Sequence, residues 1–412
     1  MTQRTPEEDF LLLNPGPVPL TDDAREAMDA PMVSHRSAEF EATYERAQRG
    51  LDYVFTESTL DGRHTAEEET GTSLILNGTA TMGMEAAVAN FVGPDDEVVA
   101  LVNGKFGRRF ARIADRYADV RRVEVEWGEG FDLDDVGDAI AEGTDLVTMI
   151  HNETSTGILN PVSAVGEIAA EEDTLFAVDG VTSLGGDVFC IDDWGIDVAI
   201  TDAQKALAAP PGISAMYVTE RAAERAAGER APFYSDLEKH LRKAGSHQTP
   251  FTSAVPLVRA LAVAVEEIEE EGLADRIRRH RRQAAAFRRG FGAMGLEGFP
   301  ETEGLTVRSN TVTATELPAG IEPADFFEAV ETRNVSLSGG QAHLGGEIFR
   351  VSNMGTLADR DVLRGVRVVG EAMGEAGAEI DGEAGYEAAR VVLASDDGEE
   401  NREEASVGAT EG

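Results

Sequence analysis

The feature that most constrains the fold is an alternation. Short apolar runs, SLILN, EVVALV, DLVTMI, LFAVD, DVAIT and SAMYV, are separated by stretches with helical spacing. Runs this short, with almost no polar residue on either face, suit strands covered on both sides better than helices. Strands that alternate with helices in this way are joined by crossovers, so the fold class predicted is α/β, a mostly parallel sheet with helices on both faces.

Ahead of that alternation, Phe40, Tyr44, Leu51 and Phe55 recur at helix spacing within residues 21–55, and 57–72 reads as a polar, acidic, glycine-bearing loop. After Pro256 the pattern becomes one long charged helix over 257–289. A smaller α+β unit follows, with strands expected at 305–314 and 347–353 and a helix from Pro323. The chain therefore divides into an N-terminal arm (1–20), a large domain (21–255), a small C-terminal domain with its connecting helix (256–390) and a tail (391–412). The tail is rich in acid, glycine and serine without apolar periodicity, and disorder is expected there.

Charge narrows the function classes. Against 77 acidic residues stand 36 basic ones, a formal charge of −41, so a basic nucleic-acid face is excluded. Acids spread along the whole chain, with arginine far commoner than lysine, suit a salt-filled cytoplasm, because at molar salt the Debye length shrinks to about 3 Å and self-repulsion is screened. A halophilic source is expected. Cys190 is the single cysteine, so there is no internal disulfide and no cysteine metal site. No run of eighteen apolar residues and no leader-like N-terminus is present, so a cytoplasmic protein without membrane spans is expected.

The chemistry concentrates where strands end. Asp179 closes the run LFAVD, and Lys205 follows DVAIT in a turn halted by Pro210, Pro211 and Gly212. Open α/β sheets hold ligands at the carboxyl ends of their strands. An acid on one such end and a lysine after the next is an arrangement that grips pyridoxal 5'-phosphate: the carboxylate pairs with the protonated pyridine nitrogen and the amine bonds the aldehyde carbon. Upstream, Gly78-Thr79-Ala80-Thr81 follows SLILN and opens a helical stretch, which presents free amides and a positive helix end to a phosphate. The absence of GxGxxG at that junction speaks against a dinucleotide.

The segment VDGVTSLGG…GIDVAITDAQKALAAPPGISAMYV resembles the cofactor-lysine region of the class V, fold-type I pyridoxal-phosphate aminotransferases, in particular the alanine–glyoxylate/serine–pyruvate aminotransferase family. NPGPVPL, LILNGTATMGMEAAVANFVGPDDEVV, VNGKFGRRF, HNETSTGILNP and GGEIFRVSNMG are similar to family segments in the family's order, over roughly residues 10–375. The resemblance implies a large cofactor domain, a smaller α+β domain and transamination in two half-reactions. It places Thr79, Ala80, Thr81 and Gln204 at the cofactor phosphate, Phe106 against the pyridine ring, Thr154 at the phenolic oxygen, and Ser183 among the cofactor contacts. It assigns Arg350 to the substrate α-carboxylate, which a guanidinium fork holds with two parallel hydrogen bonds. Thr249 and Thr252 match a segment that crosses a dimer interface to the neighbouring subunit's phosphate, so a homodimer with a shared active site is implied.

Substrate choice is less constrained. His35 and Arg36 match a segment that helps form the substrate pocket. Arg36 beside Arg350 would suit a phosphoserine or aspartate donor, or would simply pair with Glu39. Similarity along the chain points to alanine or serine with glyoxylate or pyruvate. A lyase or desulfurase on the same scaffold and a non-catalytic interaction protein are the alternatives. Cys190, far from the C-terminal half, argues against a desulfurase, and Asp179, Lys205 and Arg350 together argue against a non-catalytic role.

Overall fold

The computed structural model describes residues 10–64, 71–140, 143–226, 231–300, 302 and 304–395. Its centre is a seven-stranded sheet. In spatial order the strands are Gly71–Asn77, Ile213–Thr219, Val198–Asp202, Leu175–Asp179, Thr144–Ile150, Glu97–Val102 and Asp119–Glu124. Ile213–Thr219 runs antiparallel to both its neighbours and every other pairing is parallel. The three strands Leu175–Asp179, Val198–Asp202 and Ile213–Thr219 are buried at every position, as expected for runs covered on both faces.

The seventh strand, Asp119–Glu124, was not among the sequence candidates. Its text, DVRRVE, is largely charged: Asp119, Arg121, Arg122 and Glu124 are exposed and the two valines are half-buried. It lies at the sheet edge, where charged side chains blunt strand addition, so an apolar criterion passes over it.

The helix Ala38–Thr56 begins at Ser37, whose hydroxyl accepts the Phe40 N–H, and Glu39 and Glu41 favour the positive end of its first turn. It buries Phe40, Tyr44, Leu51 and Phe55 against the sheet and against Val258, Leu261, Val265 and Ile268 of the helix Val255–Glu271. The single long helix expected over 257–289 is two. Val255–Glu271 stops at Gly272, with φ +80°, and Leu273–Ala293 restarts at once. Only glycine adopts that backbone without strain, so the break is local chemistry that side-chain periodicity does not register.

Leu273–Ala293 carries Phe287 and Phe291 into a second core. There they meet Phe326, Phe349, Val366 and Val369. That core covers a four-stranded antiparallel sheet in the order Gly298–Phe299, Val312–Glu316, Ile348–Ser352, Ser338–Gly339. Arg350 lies on Ile348–Ser352, opposite Ala314 and Ser338. The N-terminal arm joins this unit through Leu11–Leu12, which pairs parallel with Val335–Ser336.

Three boundaries differ from expectation. The strand expected at 305–314 is two, Val307–Arg308 pairing with Ile158–Leu159 and Val312–Glu316 pairing with Ile348–Ser352. The strand Gly71–Asn77 begins inside the stretch read as a loop over 57–72, and residues 65–70 lie outside the described residues. The helix Gly382–Ala394 includes 391–394, where the tail was expected to begin; residues 396–412 of that tail lie outside the described residues.

Candidate active site

Leu175–Asp179 and Val198–Asp202 are parallel neighbours, so two acids, Asp179 and Asp202, stand at adjacent strand ends. Asp179 is 5% exposed and accepts the Val181 N–H at 2.8 Å. Burial pushes its carboxyl up to about 7; the Val181 N–H and Arg109 oppose that rise, and the charges of Glu153 and Asp202 add to it. Lys205 lies in the turn after Val198–Asp202. Burial lowers its amine to about 8, Asp202 and Asp179 counter this, and Arg350 and Arg109 reinforce it. Four charged side chains, Asp179, Asp202, Arg109 and Arg350, thus converge around one amine.

The N-terminal arm closes over that amine. Lys205 Nζ donates to the Pro15 carbonyl. Gly16 has φ +101°, and a Cβ there would lie 2.5 Å from Nζ. The backbone conformation disfavours a side chain at Gly16, and a Cβ there would displace the Lys205 amine.

The sheet's topological switch supplies a second wall. From Glu97–Val102 the chain goes outward to Asp119–Glu124 and then returns to Thr144–Ile150 on the other side, leaving the crevice where α/β sheets bind ligands. Segments 103–109 and 151–156 emerge there. Glu153, fully buried, accepts the Phe106 and Gly107 N–H groups at 3.0 Å each and the Ser155 N–H at 3.0 Å, which fixes the start of the helix Lys105–Ala114 against the second segment. Phe106 stands in its first turn, half-buried, with the Arg109 guanidinium 4.8 Å from its ring centroid. Arg109 also donates to Thr81 Oγ1 at 3.0 Å.

Arg350 reaches the same crevice from the small sheet. Its Nη1 donates to the Thr154 carbonyl at 2.8 Å, and Nε and Nη2 to the Gly339 carbonyl at 3.1 and 2.8 Å. It is 3% exposed, and burial lowers its guanidinium to about 10, countered by Glu153. The Thr154 hydroxyl lies 3.0 Å from that of Thr182, which itself donates to the Asn152 carbonyl. A hydroxyl has one proton, so Thr154 donates to Thr182 and keeps only acceptor capacity.

At the phosphate turn, Thr79 caps the helix Ala80–Ala89 without a side-chain capping bond. The Ala80 N–H already donates to Asp202 Oδ2 at 2.9 Å, and Gln204 Nε2 donates to the same oxygen at 2.7 Å. Asp202 Oδ1 and Gln204 Oε1 are buried without a partner. Pyridoxal phosphate fits this donor set: a buried acid for the ring nitrogen, an amine of lowered pKa, an aromatic face, and a helix start with an uncapped threonine. The Ala80 amide is the exception, since a phosphate there must share it with Asp202.

The remaining expected residues differ in how they are held. Ser183 is fully buried, its hydroxyl shared between His151 Nδ1 at 2.9 Å and the Gly180 carbonyl at 3.3 Å. Burial holds that imidazole down to about 4, so it is neutral. Thr249 is 2% exposed and donates to the Phe251 carbonyl at 2.7 Å, and Thr252 is exposed with its carbonyl bonded to Asn77. His35 is half-buried. Arg36 does not pair with Glu39, which binds Arg259 instead at 3.1 Å. Its terminal nitrogens go to Gln248 and to backbone carbonyls of 249–251. Sequence reasoning passed over Arg109, Glu153, Asp202 and Pro15-Gly16. Each stood inside a motif already singled out: Arg109 three residues after Phe106, Glu153 beside Thr154, Asp202 three before Lys205, and Pro15-Gly16 within NPGPVPL.

The class V aminotransferase family profile matches residues 33–357. An uncharacterized aminotransferase of Methanocaldococcus jannaschii is 37% identical over 392 residues, covering 93% of this chain and 97% of that one. The alanine–glyoxylate aminotransferase of Mus musculus is 31% identical over 380 residues, covering 89% and 87%. Among solved structures, the subgroup IV aspartate aminotransferase of Thermus thermophilus superposes with a TM-score of 0.80 at 31% identity, over 89% of this chain and 99% of that one.

Proposed function

Since the chain belongs to the class V aminotransferases and is a pyridoxal-phosphate-dependent aminotransferase, we propose that it exchanges the amino group of alanine or serine with glyoxylate or pyruvate. The observation that carries this choice is the engagement of Arg36. Both its terminal nitrogens are bonded within the chain, so the side chain suited to reading a donor's second anion is occupied elsewhere. A donor without a charged side chain needs no such partner. The mouse relative acts, by its name, on alanine and glyoxylate. Aspartate is the second reading, supported by the Thermus likeness and by the guanidinium of Arg109 near Lys205.

When bound, the cofactor supplies an electron sink for the carbanion left at the substrate Cα. Asp179 holds the proton on the ring nitrogen. Lys205 would hold the cofactor through its amine and, as a free amine, would take and return the proton at substrate Cα; a pKa near 8 suits that task. Phe106 would face the ring, with Thr154 and Ser183 among the cofactor contacts, and Thr79, Thr81 and Gln204 would hold the phosphate with part of the Ala80 amide. Arg350 exchanges a carbonyl partner for the substrate carboxylate, which orients the Cα–H bond.

The reading includes a homodimer, cytoplasmic by its single buried cysteine and acidic balance, in which exposed Thr252 serves the second copy while Thr249, buried and bonded to the Phe251 carbonyl, braces that segment from within. Phe233 is 78% and Tyr234 47% exposed, and their rings lie 5.8 and 5.0 Å from Phe251. An aromatic patch on that segment is what an interface core requires. The test is a panel of amino donors against glyoxylate, pyruvate and 2-oxoglutarate at molar salt. Alanine or serine with glyoxylate or pyruvate should exceed aspartate and phosphoserine by at least about tenfold in kcat/KM; the reverse order overturns the assignment.

A further inference from the structure

Arg36 stands just before the helix Ala38–Thr56, yet its partners are more than 200 residues away. Nη1 donates to Gln248 Oε1 and to the Thr249 carbonyl, both at 2.7 Å, and Nη2 donates to the Pro250 carbonyl at 3.2 Å and the Phe251 carbonyl at 3.5 Å. Three successive carbonyls turned toward one point repel one another. A planar cation with a fixed fork of donors offsets that repulsion, whereas an ammonium is a single compact charge that cannot span them. The same stretch is held on either side. Gln248 Nε2 donates to Glu41 at 2.8 Å and His247 meets Gln48 at 3.2 Å. Beyond it, Asn77 donates to the Thr252 carbonyl at 2.9 Å and accepts the Ala254 N–H at 3.1 Å. Asn77 ends the strand that leads directly into Gly78–Thr81.

We propose that Arg36 is a positioning residue for the active site of a second copy of this chain: it shapes segment 248–252 into a rigid strap whose outer face, including exposed Thr252, completes that copy's phosphate site. The proposal rests on the shared-site homodimer described above. Asn77 gives the strap a second role, since it ties the segment that serves the second copy to the phosphate turn of its own chain. Gln248 and Thr249 are buried while Thr252 is exposed, so the backbone is fixed from within and the outward side chain is left for a partner.

Subunit mixing separates action on the chain's own site from action on the partner's. The Arg36→Gln homodimer should show a kcat roughly tenfold lower or worse and a raised cofactor dissociation constant, equally for every donor. Lys205→Ala should be inactive. In a purified heterodimer of the two, the Arg36→Gln chain keeps Lys205 and receives an intact strap from its partner. One site is then complete, and activity should return to about half the wild-type level. A heterodimer no better than the Arg36→Gln homodimer means that Arg36 serves its own chain and overturns the proposal, as does a loss confined to aspartate or phosphoserine. A wild-type enzyme that sediments as a monomer overturns the homodimer itself, before any mixing result is read. Should Arg36→Gln fail to fold, Arg36→Lys takes its place in the same mixing scheme, with the same two outcomes.

Discussion

Replacing Asp179 by asparagine should stabilise the cofactor-free protein at alkaline pH while crippling the enzyme. Burial lifts this carboxyl from 3.8 to about 7. An acid whose folded pKa lies above its unfolded value is neutral in both states below about pH 4, and the folded state binds the extra proton between there and about pH 7. Stability therefore falls with rising pH across that window and is flat above it. At about 1.4 kcal/mol per pH unit the full loss is on the order of 4 kcal/mol. Asparagine escapes it and keeps the Val181 N–H bond through its carbonyl oxygen, but buries an amide at a cost of about 1–2 kcal/mol. The net gain should be roughly 2–3 kcal/mol at pH 8, shrinking to nothing or reversing near pH 5. Urea unfolding of both cofactor-free proteins at fixed high salt, from pH 5 to 8.5, measures it. With cofactor bound, the ring-nitrogen cation pairs with the carboxylate and removes the advantage, while turnover of the variant drops by orders of magnitude. An asparagine gain that does not change with pH would refute the burial argument, and near-wild-type turnover would refute the role given to Asp179.

Arg350→Ala should weaken every amino donor by roughly 1.5–3 kcal/mol, the cost of a lost charged hydrogen-bonding partner; steady-state kcat/KM across donors checks it, and a donor-selective loss would contradict a carboxylate role. Arg276 is 1% exposed and bonds the Gly185 and Ala206 carbonyls at 2.9 and 2.7 Å and Glu271 at 2.7 Å. Arg276→Met should cost about 1–3 kcal/mol in urea unfolding by leaving the buried Gly185 and Ala206 carbonyls without their donor, Arg279 still holding Glu271, and should also lower cofactor loading, because Ala206 adjoins Lys205. With a formal charge of −41, dilution from molar to 0.1 M salt extends repulsion to about 10 Å and should lower the melting temperature; a flat or rising Tm would remove the halophilic reading.

What could be read from the chain and what could not divide by the range of the interaction. Asp179 and Lys205 were legible because strand-end chemistry is local: an apolar run fixes where the strand stops, and the next polar residue then faces the sheet's carboxyl edge. The same logic found Thr79–Thr81 at a strand–helix junction. It failed at Asp119–Glu124, whose edge position demands the charges that disguise a strand, and at Gly272, where a backbone angle ends a helix without disturbing side-chain spacing. Local text is also silent on which side chains share a hydrogen bond across the fold. Arg36 next to Glu39 invited an ion pair, but Glu39 faces Arg259 on a distant helix while Arg36 turns to a segment more than 200 residues on. The Ala80 amide looked free for a phosphate until Asp202, from another strand, was seen to accept it. Asp202 is thus the residue whose part in the site depends most on tertiary structure. Its charge is the largest one raising the Lys205 amine, and its oxygen sits where the phosphate approaches. Exchange for asparagine would relieve the phosphate of a neighbouring anion and lower the Lys205 pKa at the same time, two effects that no reading of TDAQK alone could connect.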